Sequence, residues 1–434
     1  MGSYEILSIG TKLKNLREKY NVRQEDLAGG EITRNLISQI EHGKANLTKN
    51  AAEIILKNLK KICGKNHITI DENIEYLMED EKSQAEKILD KYIKELRDLM
   101  VYKDASFVDK LTEVEEFLVQ WNITDKKVDI FELAGDYFTS TDDYYKSSLY
   151  YEKARALFDK YSKNSISILR KLSMVYFYMG EYEQDIKCCQ FALDWFNDDL
   201  TEEYRCIFLF NSALCYIEIK QYYEAIKNLI KTEEIIKHVN INKYYEVLVE
   251  EAICLEHLEK YTESLDIYNK LLDIFKNTNA EQYVLVLANM LNLFRDSNDY
   301  INAQKTINNL VPNINKLNNN SKYLPSIYLE LSKTFKWLKN LKKAEECCLK
   351  GFYASQKYTH YFVIDNIFAE LIDIYCDTNN TEKIQKVKND FFIMTSKENK
   401  LNTKIVFKLI GIYLKNNDTQ SIQEIYDFST KFIS

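Results

Sequence analysis

The sequence predicts an all-α protein in two parts, a small helical head followed by a long array of helix pairs. Three observations carry that expectation. With 2 Pro and 10 Gly among 434 residues, the chain lacks the turn-formers that many short strands would need. Its composition, 46% apolar and 29% charged, suits helices with one buried and one solvated face. From about residue 126 onward a single pattern also recurs at intervals of 38 to 41 residues, the mark of a repeat architecture. No run reaches the roughly 18 uncharged apolar residues of a membrane span, and the N-terminus has no export-signal pattern. The cytoplasm is therefore the expected compartment, with no membrane partner. The 9 cysteines lie within helical patterns without CxxC spacing and are expected to be reduced core residues.

The head is assigned to residues 1–66. Residues 1–65 carry a net charge of +5, which leaves −13 for the rest of the chain. A basic head on an acidic body is the asymmetry expected when the head alone approaches a polyanion. Ile9, Leu13, Leu16 and Tyr20 keep helical spacing, so a first helix is expected over Thr11 to Tyr20, ended by Asn21. A second short helix follows from about Arg23 to Ala28. Gly29 and Gly30 break it, and Thr33 is placed to cap a third helix, Arg34 to Glu41, stopped by Gly43. Thr48 opens a fourth helix with Ala51, Ala52, Ile55, Leu56 and Leu59 on one side, closed by Gly64.

Helix, tight turn and helix is the arrangement that lets a second helix enter a major groove. The stretch Arg23-Gln24-Glu25-Asp26-Leu27-Ala28, then Thr33-Arg34-Asn35-Leu36-Ile37-Ser38-Gln39-Ile40-Glu41-His42-Gly43, resembles the Xre and Cro type of phage-repressor helix-turn-helix. Leu27, Ala28, Ile37 and Ile40 match its packing positions. The segment between Ala28 and Ser38 is one residue shorter than the commonest spacing. The resemblance implies that Gln24 touches phosphate and that Arg34, Asn35 and Gln39 face bases, with Thr33, Ser38 and Lys44 completing the DNA-binding set. The chemistry agrees, because Arg can donate two hydrogen bonds to guanine and Asn or Gln can pair with adenine, each worth about 1–3 kcal/mol of discrimination. Lys12 and Lys14, on the first helix, are expected to contact phosphate without regard to sequence.

Residues 67–125 are expected to be connecting helices. Ala85, Leu89, Tyr92, Leu96 and Leu99 step by four and three, an a/d seam too short for a coiled coil. Packing on the next helix is expected of it, with a dimer contact as the alternative.

Residues 126–434 hold about eight repeats. Their register is fixed by Ser147, Asp185, Ala225, Ser264, Ala303, Ala344, Ile384 and Ile422 in the second helix of each pair. Nine residues before each marker stands an aromatic or Leu: Phe138, Tyr176, Tyr216, Leu255, Phe294, Phe335, Tyr375 and Tyr413. Three before it stands Tyr144, Tyr182, Tyr222, Tyr261 or Tyr300, then Leu341, Thr381 and Thr419. One helix pair cannot hide its own apolar face, whereas stacked pairs bury a continuous core with small residues at close approaches. Spacing and residue types resemble tetratricopeptide repeats with lengthened helices, which implies a right-handed superhelix whose concave face is lined by first helices. Such a face suits an extended peptide, whose backbone amides need partners once desolvated. Asn211, Asn289 and Asn292 are the amide candidates there, and Arg170, Glu250, Lys333 and Asp373 the charged ones.

Head and array together resemble the RRNPP family of peptide-pheromone-responsive regulators of low-GC Gram-positive bacteria. The resemblance implies a homodimeric transcription factor that binds a double-stranded DNA operator and is switched by a short signalling peptide in quorum sensing, often over sporulation, virulence or solvent production. The alternative is an interaction scaffold whose repeats bind and inhibit another regulator. An enzyme is not expected. The chain holds no GxxxxGK, GxGxxG, HExxH or GxSxG, and its 5 histidines lack ligand spacing, so neither a metal nor another cofactor is expected.

Overall fold

The computed structural model describes residues 5–65, 67–159, 162–318, 321–358, 361–398 and 401–432. Among them are twenty-three α-helices, two 3-10 turns and no strand. No described helix is long and apolar enough to cross a membrane. The chain divides into two compact units, Met1–Leu200 and Thr201–Ser434.

The first unit begins with five short helices: α1 (Ile9–Lys19), α2 (Gln24–Ala28), α3 (Arg34–Glu41), α4 (Lys49–Lys65) and α5 (Ile74–Met78). α1 starts at Ile9, before the expected Thr11, because the Ser8 hydroxyl caps it by accepting from the Thr11 amide at 3.1 Å. Gly29, at φ +60°, stops α2, and Thr33 caps α3 as the sequence predicts. Gly64 does not close α4, which runs through it to Lys65. Leu13, Leu16, Leu27, Ile37, Ile40, Ala52 and Leu59 form the centre of the head, and Leu77 of α5 joins them, so its packing continues past residue 66.

α6 (Glu81–Val101), α7 (Ser106–Gln120) and α8 (Thr124–Ser140) follow. Leu89, Tyr92 and Leu96 of the seam pack with Phe107, Leu111 and Val114 of α7 and Ile130 and Phe138 of α8. The seam is therefore used in packing on α7 and α8 within this chain.

The helix pairs begin with α8 and α9 (Tyr144–Arg155), then α10 (Ile166–Met179) and α11 (Tyr182–Trp195). In the second unit they continue as α12 (Glu202–Glu218) with α13 (Tyr222–Val239), α14 (Ile241–His257) with α15 (Tyr261–Phe275), and α16 (Ala280–Asp296) with α17 (Tyr300–Ile314). The last three pairs are α18 (Leu324–Trp337) with α19 (Leu341–Tyr358), α20 (Tyr361–Asp377) with α21 (Thr381–Glu398), and α22 (Thr403–Lys415) with α23 (Thr419–Ser429). Every second helix starts three residues before its marker, where the sequence places its row of tyrosines.

The turn within each pair explains why that spacing is constant. Five residues before each marker the backbone is left-handed, at Asp142, Gly180, Lys220, Glu259, Asn298, Lys339, Asn379 and Asn417. The following N–H then donates to the carbonyl of the aromatic or Leu nine before the marker, at 2.7–2.9 Å in all eight pairs. This six-to-one bond is the Schellman closure of a helix C-terminus. The first six markers are fully buried. In the last pair the buried stripe is Ser421, Ile425 and Ser429, while Ile422 is half-buried. The small Ser421 takes the close-approach position expected of Ile422, a slip of one residue.

Candidate nucleic-acid face and ligand groove

α2 and α3 are locked by a carboxylate. Glu41, whose side chain is 3% exposed, accepts from Arg17 Nε at 2.7 Å and from Gln24 Nε2 at 2.8 Å. The bond to Glu41 holds the Arg17 guanidinium above its ordinary pKa. Gln24 thus helps to position α2 on α3, and its amide keeps a second N–H. Thr33 is the cap of α3, its hydroxyl accepting from the Leu36 amide at 3.2 Å.

With Ile37 and Ile40 turned inward, Arg34, Asn35 and Gln39 are exposed on the opposite side of α3, and Lys44 is exposed just beyond it. Ser38 is half-buried. Arg34 is paired with Glu25 at 3.1 Å across α2, both side chains being open to water. An exposed pair of that kind is worth less than about 1 kcal/mol and yields readily to a better anion. Lys14 is exposed, but Lys12 is not a phosphate contact: it is 1% exposed, and its ammonium is bound within the head.

The peptide candidates fall in both units. In the first, Arg170 on α10 is half-buried. Its neighbour Lys171 bridges Glu132 at 2.9 Å and Asp136 at 2.6 Å, and the Tyr151 hydroxyl donates to the same Asp136.

In the second unit Asn211, Glu250 and Asn289 stand at one register on α12, α14 and α16, fourteen before their markers, and all three are half-buried. Among the described residues, Glu250 and Asn289 have no side-chain hydrogen bond. Burial pushes the Glu250 carboxyl up to about 7, with Lys243 opposing and Glu246 and Glu218 reinforcing. Of the other candidates, Asn292 and Asp373 bond between repeats and Lys333 within its own helix. Asn292 donates to Glu256 of α14 and accepts from Arg295, whose guanidinium reaches Glu330 of α18 at 2.7 Å and the Thr334 hydroxyl at 2.8 Å. Lys333 pairs with the same Glu330 at 2.7 Å. Asp373 receives Lys408 of α22 at 2.7 Å and lies 3.8 Å from Lys336, which meets Glu370 at 2.9 Å. These bonds tie α14, α16, α18, α20 and α22 into a ladder in which Asn292 and Asp373 bond between repeats, whereas Lys333 pairs within its own helix α18. The sequence reading missed Arg295, Glu256 and Lys336. Glu330, Glu370 and Lys408 share the register of Asn289, and that signal could have found them.

The turn end of the ladder borders a cavity of about 680 Å³ lined by Arg295, Lys333, Lys336, Trp337, Leu341 and Asp377. Trp337 stacks on Tyr300 with ring centroids 4.1 Å apart. The volume is within the range of small-ligand sites. Among the described residues no His, Cys, Asp and Glu group is arranged to hold a metal, and His360 lies outside them. The cysteines are free thiols, and burial pushes Cys188, Cys254 and Cys348 up to about 12, which keeps those three protonated at neutral pH.

The carboxyls of α14 give a pH prediction. Burial also raises Glu256, to about 8, against a hydrogen bond from Asn292. A carboxyl whose folded pKa is raised holds a proton that the unfolded chain releases above about 4.5. Stability is therefore expected to fall as pH rises from about 5 to 8, by up to about 1.4 kcal/mol per pH unit for each such proton. Urea midpoints across that range test it, with Glu256→Gln expected to flatten the slope. A wild-type midpoint that does not move would show both carboxyls to be ionised throughout.

No family model matches the sequence, and no curated protein matches it. Solved structures do resemble the fold. The apo form of RapI aligns at 17% identity and TM-score 0.48, over 62% of this chain and 98% of its own. The apo form of the quorum sensor NprR from B. thuringiensis aligns at 12% identity and TM-score 0.47, over 98% of this chain and 100% of its own. Bacillus thuringiensis PlcR, in complex with the peptide PapR7 and DNA, aligns at 17% identity and TM-score 0.29, over 68% of this chain and 99% of its own.

Proposed function

We propose that this chain is a cytoplasmic, dimeric transcription regulator that binds operator DNA through α3 and is switched by a short peptide seated against Asn211, Glu250 and Asn289. The observation that carries the reading is the head. A capped helix in a domain of net +5 charge presents Arg34, Asn35 and Gln39 to solvent, with Lys44 at its end. Those are the residue types that read base edges, and Glu25 is the weak intramolecular anion that a duplex would replace. The groove supports the second half of the reading, because Glu250 and Asn289 are half-buried polar groups without a side-chain hydrogen bond among the described residues.

Selection of duplexes from a random pool by the full chain tests it. Arg34→Ala and Gln39→Ala are each expected to relax preference at separate base positions by about 1–3 kcal/mol, roughly 5- to 150-fold. Equal affinity for all duplexes in the wild type would sink the operator reading. For the switch, Asn211→Ala and Asn289→Ala are expected to abolish the effect of peptide on DNA affinity while leaving folding intact. By linkage, DNA must alter peptide affinity by the same factor. The ladder that occupies Asn292 and Asp373 favours the scaffold as a second reading, and a repeat array that binds a folded regulator but no peptide would establish it.

A further inference from the structure

α1 is tied to the segment leading into α6 at three places. Before α1, the Gln84 side-chain amide of α6 pairs with the backbone of Leu7, donating to its carbonyl at 2.8 Å and accepting from its N–H at 3.2 Å. One turn into α1, the Lys12 ammonium donates to the carbonyls of Tyr76 at 3.0 Å and Glu79 at 2.9 Å, and meets the Glu79 carboxylate at 3.3 Å. At its end, Lys19 and Tyr20 both bond the carboxylate of Glu72, at 2.6 and 2.7 Å.

Lys12 is the unusual member. Burying an ammonium costs several kcal/mol unless every proton is bound, and its three donors find three acceptors here. The Tyr76 ring adds a cation contact at 5.0 Å. Glu79 continues the tie, since Lys87 of α6 holds the same carboxylate at 2.7 Å. These bonds keep the Glu79 carboxyl below its ordinary range. α1 in turn fixes α3. Gly10 is so close to the end of α3 that an added Cβ would stand 2.4 Å from the Ile40 carbonyl oxygen. A contact of that closeness between two backbones cannot slide without opening the head core.

We propose that Lys12 and Gln84 are positioning residues, a latch that holds the recognition helix at one orientation relative to α6, α7 and α8. The latch makes the path from α6 to α3 continuous and stiff, through Gln84 and Glu79 to α1, and through Gly10 to the end of α3. A change in the α6–α8 packing then turns the nucleic-acid face and is not lost in a slack connection. The assignment of α3 to DNA is the reading on which the use of the latch rests.

The test uses the full chain with spin labels on unnatural amino acids at Glu53 of α4 and Asp109 of α7, both exposed. The wild type is expected to give one narrow distance, and Lys12→Met and Gln84→Ala to lose it for a broad distribution. Should Lys12→Met fail to fold, Gln84→Ala decides, because the amide pair with Leu7 is the one bond it removes between α6 and the segment before α1, its other bonds being local ones to the Glu79 and Asp80 carbonyls. A distance as narrow in Gln84→Ala as in the wild type overturns the latch. The salt dependence of duplex binding gives the second readout. Its slope is expected to be unchanged in Lys12→Met, and a fall of about one would return Lys12 to a phosphate contact. If the wild type binds no duplex, the DNA reading fails, and the label distance still decides the latch.

Discussion

Gly10→Ala is expected to unfold the head and abolish duplex binding while the repeat array keeps its helical signal. The new Cβ would lie 2.4 Å from the carbonyl oxygen of Ile40 and 2.9 Å from that of Glu41. Both obstacles are backbone atoms at the end of α3, so no side chain can swing aside to make room. Relief requires α1 and α3 to part by an ångström or so, which opens the contact among Leu13, Leu16, Ile37 and Ile40, all 3% exposed or less. Over-packing of this kind reaches about 3 kcal/mol, a large share of what a head of this size has to lose. Gly64→Ala is the control, since a Cβ there meets nothing within 4 Å. In α4 it should add about 0.5 kcal/mol through the stiffer unfolded chain. Thermal unfolding with a probe in the head separates the two variants. A head of unaltered stability in Gly10→Ala, with duplex binding intact, would refute the contact.

Gly10 also marks where sequence reasoning stops. The caps of α3 and the eight-fold register were legible because each depends on residues a few positions apart: Thr33 on the Leu36 amide, and each turn on its own six-residue closure. The left-handed residue of those turns was not legible, because Gly180 is the single glycine among positions otherwise filled by Asp, Asn, Lys and Glu. Asp142, Asn298, Asn379 and Asn417 adopt φ > 0 readily, but at Lys220, Glu259 and Lys339 the backbone bond and the packing of the flanking helices impose it on side chains that do not favour it. Lys12 was read as a phosphate contact because lysines are rarely buried, and nothing near it in sequence announces the carbonyls of Tyr76 and Glu79. The ladder is the same case. Asn292 and Asp373 carry the right chemistry for a groove, but each has a partner on a neighbouring helix pair. Register places both in one row, and only the packing distance decides that they bond each other. Glu250 is left without such a bond for the complementary reason, since its neighbours at the same register, Asn211 and Asn289, are not cations.

The second large effect is expected at the far end of the array. Four residues after the marker, where other pairs bury Tyr151, Cys189, Leu229, Tyr268 or Cys348, α21 carries Lys388, and it is 0% exposed. Its ammonium pairs with Glu424 of α23 and lies 5.7 Å from the ring centre of Phe392 and 5.8 Å from that of Tyr413. Glu424→Ala leaves that charge among apolar and aromatic groups with its carboxylate gone, a loss of about 3 kcal/mol for a buried ion deprived of its partner. Lys388→Met, which keeps the volume of the stem and removes the charge, is expected to be near neutral, and in the double variant to restore most of what Glu424→Ala loses. Because each pair in such an array rests on its neighbours, the damage should fray α22 and α23 before it reaches α12. Amide exchange is therefore expected to quicken in α23 first. The bond from Lys388 holds the Glu424 carboxyl below its usual range. Its stabilising effect is thus present above about pH 4.5 and lost as pH falls through the lowered value, so the wild type and Glu424→Ala should converge in acid. A constant gap between them down to pH 2, or a double variant no better than Glu424→Ala, would show that the pair contributes through packing and not through charge.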